Sequence, residues 1–126
     1  MPELSPELKA FLIRYFDSVE SLEIVALLER SSTAYWTRQA ISQQLGIPED
    51  VIDTKLGALT DAKILVCGEQ TGAYRFAPAS HELRDNVAEV LRVYGEQRAS
   101  VITAIYTGSL EQLRAFSDAF RLKKDS

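Results

Sequence analysis

Glu49 and Asp53 stand four residues apart with Asp50 between them. On a helix that spacing puts two carboxylates on one face, as a divalent cation would need. No histidine or cysteine joins them, so no metal site is expected. Carboxylates in a first helical turn have a simpler use, complementing the helix dipole. His81 is the only histidine and Cys67 the only cysteine. Neither has a base or an orienting acid at an interpretable spacing, and no glycine-rich loop could cradle a phosphate. His81 reads as a solvated residue at a helix start, and Cys67 as a small packing residue on a strand. The expectation is a non-enzymatic chain with no catalytic residues, no metal and no cofactor. The chemistry left is recognition. Arg38, Thr54, Lys55 and Arg75 are candidates for DNA contact, and Glu49, Asp50 and Asp53 for contact with a basic partner.

Both sets lie within Thr37–Ala77, which reads as a helix, a tight turn, a second helix and a β-hairpin. Thr37 is a suitable N-cap. Ala40, Ile41 and Leu45 follow at the spacing of one buried helix face. Ser42 is small where the next helix must cross, and Gly46 can take positive φ at the helix end. Pro48 suits the start of the second helix, expected from about Glu49 to Ala62. Ile52, Leu56 and Leu59 form its core stripe, with Val51 beside them. Ile64-Leu65-Val66 reads as a strand, Gln70-Thr71-Gly72 as a turn and Ala73-Tyr74-Arg75-Phe76 as the returning strand. Tyr35 and Trp36 are expected to add a short extended piece to that sheet.

These residues resemble the winged-helix families of bacterial transcription regulators, such as the arsenic-repressor and multiple-antibiotic-resistance types. The resemblance rests on Ser42 and Gly46, the Ile52/Leu56/Leu59 spacing, Lys63-Ile64-Leu65 leading into the wing, and the Tyr74-Arg75-Phe76 return. It covers roughly a third of the chain. It implies a mainly α fold, a winged helix-turn-helix with a small wing, and a transcription-associated regulator. Lys63 departs from the pattern, where such families usually have glycine; a left-handed backbone there would cost lysine more.

A DNA-reading second helix leads with its exposed N-terminal half. Here that half holds Glu49, Asp50, Asp53, Thr54 and Lys55, and the wing tip holds Glu69. Phosphate contacts supply much of the affinity of such complexes, so the carboxylates disfavour DNA. Residues 1–36 carry three basic and six acidic groups, residues 37–76 four and five, and the remainder seven of each. No segment is a basic block.

Ser5-Pro6-Glu7 is expected to open a first helix with Leu8, Phe11, Leu12, Tyr15 and Phe16 inward. Asp17-Ser18-Val19-Glu20 reads as a capping box with Asp17 as cap. The helix after it should be the buried centre. Beyond Pro78, Ser80 should cap a long helix to about Tyr106, roughly 40 Å, with a bend near Gly95 and a stop at Gly108. Ser109-Leu110-Glu111-Gln112 reads as another capping box, opening a last helix with Leu110, Leu113, Phe116 and Phe120 on one face. The expected division is residues 1–79, a winged-helix domain with an N-terminal helix, and residues 80–126, a C-terminal helical extension. The extension shows more apolar surface than a small core can cover, so its stripes either fold back on the domain as a monomer with a larger helical core or, the favoured expectation, form a homodimer through Leu83, Val87, Leu91, Tyr94, Val101, Ile105, Phe116 and Phe120. Its Phe116–Arg121 ending is similar to that of a group of small bacterial winged-helix proteins.

At 126 residues, 46% apolar and 25% charged, the composition is that of a globular domain. There is no apolar run long enough for a membrane span and no secretory pattern at the start. With one cysteine, the expected location is the cytoplasm. Two functions stay open: a DNA-contacting regulator, and a protein-interaction module using the acidic second helix.

Overall fold

The computed structural model describes residues 4–108 and residue 110. The chain is mainly helical, with one small two-stranded antiparallel sheet. The order is α1 (Pro6–Tyr15), α2 (Val19–Arg30), α3 (Arg38–Leu45), α4 (Glu49–Asp61), β1 (Leu65–Cys67), β2 (Tyr74–Phe76) and α5 (His81–Glu96). A further helix, α6, includes residues 98–108. Among the described residues no helix is long and apolar enough to cross a membrane.

Local chemistry sets most of the boundaries. The hydroxyls of Ser5, Thr37 and Ser80 accept the amides of Leu8, Ala40 and Leu83, capping α1, α3 and α5. Gly46 ends α3 in the left-handed region at φ 69°. Ser42 ties the turn that follows, its hydroxyl donating to the Ile47 carbonyl at 2.5 Å. At α2 the cap is Ser18 rather than Asp17. Ser18 is the last extended residue (φ −161°, ψ 162°) and accepts from the Ser21 amide. Asp17, one residue further out, accepts from the Ser21 hydroxyl instead.

α4 closes in a Schellman arrangement. The Lys63 amide donates to the Thr60 carbonyl and the Ile64 amide to the Leu59 carbonyl. Lys63 takes the left-handed position at φ 66°, the only non-glycine there among the described residues. The hairpin then pairs Leu65 with Phe76, Val66 with Arg75 and Cys67 with Tyr74. Trp36 bridges Tyr74 through two backbone bonds of 2.7 Å, giving the sheet the short third edge expected of Tyr35-Trp36.

α2 is the centre, with six of its twelve residues buried. Ile41 from α3, Ile52, Leu56 and Leu59 from α4, and Ile64, Leu65 and Phe76 from the hairpin close over it. Val87, Val90, Val93 and Tyr94 of α5 and Val101, Ala104 and Ile105 of α6 belong to the same buried cluster. Residues on both sides of the 79/80 boundary therefore share one core.

The long helix is interrupted. α5 ends at Glu96, and Gln97 leaves helical geometry (φ −132°, ψ 56°) before α6 begins. Gly95, the expected bend, is itself helical. Gly108 does not stop the chain's helix either; it is helical and buried against Ile13 of α1. A glycine there serves close helix approach, not termination. The expected capping box Ser109–Gln112 and the last helix with Leu113, Phe116 and Phe120 lie outside the described residues, apart from Leu110.

Candidate functional site

The buried stripe of α4 turns its other side outward. Glu49, Asp50, Asp53, Thr54, Gly57, Ala58 and Asp61 are exposed, following from a helix whose Ile52, Leu56 and Leu59 are fixed in the core. Four carboxylates thus share a face that is flat beyond Thr54, because Gly57 and Ala58 offer almost no side chain.

The basic candidates are drawn into ion pairs or stacking. Arg38, in the first turn of α3, reaches both Glu49 (3.5 Å) and Asp53 (3.2 Å) and is half exposed. Lys55 turns away from the outer face, pairing with Asp17 at 3.1 Å with its side chain only 18% exposed. Burial raises the Asp17 carboxyl, but the bonds from Lys55 and Ser21 outweigh this and leave it below the usual aspartate value. The Thr54 hydroxyl donates to the Asp50 carbonyl. Arg75 alternates with the inward Phe76 and so lies on the opposite side of the hairpin. Its guanidinium carbon is 5.4 Å from the centre of the exposed Tyr35 ring. Its Nε is buried without a hydrogen-bond partner among the described residues.

Between α3, α4 and the hairpin lies a polar hollow of about 310 Å³, lined by Arg38, Glu49, Asp53, Thr71 and Tyr74. Burial, then Cys67 and Asp53, push the Tyr74 hydroxyl above the ordinary tyrosine value, against the pull of Arg38. The structure therefore brings Arg38, Glu49 and Asp53 together. Asp50 and Thr54 share the adjoining surface, while Lys55 and Arg75 are separated from it. Nothing local in the sequence signals the Asp17–Lys55 pair, whose members are 38 positions apart.

His81 is the first residue of α5 and is exposed; Cys67 is exposed on β1. Among the described residues no three histidine, cysteine, aspartate or glutamate side chains group as metal ligands would.

Of the residues expected at a dimer contact, Val87, Tyr94, Val101 and Ile105 are buried in the chain's own core, with Leu83 and Leu91 half-buried against it. Phe116 and Phe120 lie outside the described residues. The exposed large apolar side chains near the end of the described chain are Ile102, Tyr106 and Leu110.

No protein-family model, curated protein or solved structure matches this chain.

Proposed function

We propose that residues 37–77 form a winged helix-turn-helix serving as a non-catalytic binding module in a transcription-associated regulator, with α4 meeting a basic protein surface. One observation carries this reading. The open face of α4 presents Glu49, Asp50, Asp53 and Asp61, and the nearest cations, Arg38 and Lys55, are already paired with carboxylates. To grip phosphates, Arg38 would have to leave two acidic partners and Lys55 would have to leave Asp17. A polyanion gains little from such a face, whereas a basic protein surface gains complementarity and faster encounter.

Capture of partners from native lysate by the purified chain tests the proposal. Asp50→Lys with Asp53→Lys should abolish retention of a basic partner while leaving the fold intact, since both side chains are exposed. Capture indifferent to that double change ends the reading.

A second reading, direct DNA contact, is favoured by the free outward face of α4 beside a hairpin, as groove insertion requires. Low-salt gel shifts against genomic fragments distinguish the two. Binding that Arg38→Glu and Arg75→Glu each weaken would replace the protein-partner reading with the DNA one.

A further inference from the structure

Among the described residues, four helix starts are capped by a side chain and two, those of α4 and α6, are not. α1, α2, α3 and α5 each begin behind a serine or threonine whose hydroxyl accepts the third amide, and α4 begins behind Pro48. α6 begins behind Gln97, and no side chain caps its first turn among the described residues. Its first amides, like those of α4, have no side-chain partner among the described residues.

The apolar seam, in contrast, is not interrupted. From Leu83 through Val87, Val90 and Tyr94 to Val101, Ala104 and Gly108, the steps alternate between four and three residues, with Gln97 the seam's polar member. That is the phase of one continuous helix. A single non-helical residue separates α5 from α6 where α6 turns back against its own α1.

The seat it turns back to is unevenly filled. Gly108 lies so close to Ile13 that an added methyl would sit 2.7 Å from Ile13 Cγ1. Yet a hollow of about 400 Å³ remains between Lys9 and Ile13 of α1 and the small residues Ala99, Thr103 and Thr107 of α6.

We propose that α6 exchanges between two copies of this chain: α5 and α6 join through Gln97 into one helix of roughly 40 Å, and each α6 occupies the other copy's seat on α1. The occupant is a second copy because the seat is the one this α6 already takes and requires no new surface. Val101, Ala104 and Ile105 recover in the dimer the burial they lose on opening, and the continuous helix satisfies the amides and carbonyls left open at the break. A one-residue hinge favours exchange in this way. The proposal is independent of what α4 binds.

Light scattering across a concentration series tests it with four proteins. The wild type should pass from monomer to dimer mass as concentration rises towards the millimolar range. Gln97→Ala, which favours helix at the hinge, should lower the concentration of half-dimerisation several-fold. Arg98 donates to Glu23 in the present fold, so Arg98→Ala and Arg98→Pro lose the same contact. Proline suits the start of a separate α6 but breaks a continuous helix. Arg98→Ala should therefore still dimerise, and Arg98→Pro should stay monomeric. Monomer mass for both wild type and Gln97→Ala at all concentrations overturns the proposal. So does dimerisation of Arg98→Pro equal to that of Arg98→Ala, since such a dimer would need no continuous helix.

Discussion

Lys63 holds a left-handed backbone that glycine would occupy freely. The strain costs about 1 kcal/mol or somewhat more, and a glycine's greater freedom in the unfolded chain returns part of that. Lys63→Gly should therefore raise stability by about 0.5–1 kcal/mol, read as a higher urea midpoint at unchanged slope. Tyr94 gives a second test, in alkali. Burial first, then its bond to Glu23 at 2.6 Å, push its hydroxyl up to about 12, from 10.0 when free. A folded value above the unfolded one means stabilisation that is complete below pH 10 and lost as pH rises towards 12. Tyr94→Phe should remove this part of the alkaline loss, measured as urea midpoints between those pH values. Asp17 has the opposite sign. Its lowered value stabilises the fold above the ordinary aspartate range, and that contribution disappears as pH falls through the folded value.

Glycine has opposite meanings in two of the helices. At Gly57 an added methyl meets nothing within 4 Å, so Gly57→Ala should stabilise α4 by about 1 kcal/mol. At Gly108 the same change drives a methyl into Ile13 and should destabilise by about 1–3 kcal/mol. Thermal unfolding of the two variants should move in opposite directions. Several element boundaries were legible from a single residue. Ser5, Thr37 and Ser80 cap helices by an oxygen three residues from the amide it accepts, and Gly46 and Gly72 supply positive φ at their turns. The break at Gln97 was not legible, because periodicity continues through it. What bends the chain there is the fit of α6 against α1, far away in sequence. Asp17 was misread for a related reason: a capping box scores residue types, whereas the actual cap is whichever residue last stays extended, here Ser18.

Across the whole molecule, protection should follow burial from the centre outwards. Among the described residues, α2, closed over by the other helices and the hairpin, should exchange slowly, and residues 69–72 at the exposed hairpin tip much faster. Hydrogen exchange with mass spectrometry would check this, and an α2 that exchanges as fast as the tip would contradict the packing described. The acidic outer face of α4 was readable in advance, because the Ile52/Leu56/Leu59 stripe fixes which side must point outward. The fate of the cations was not. Arg38 meets Glu49 and Asp53 only after α3 and α4 cross, and Lys55 meets Asp17 only after α4 packs beside α2.

The chain has a single tryptophan, Trp36. It is half-buried, tied through its backbone to Tyr74, and its indole N–H is enclosed without a partner among the described residues. Its fluorescence is consequently a label-free optical report on how the hairpin is seated, readable in a cuvette whenever a ligand arrives next to α4.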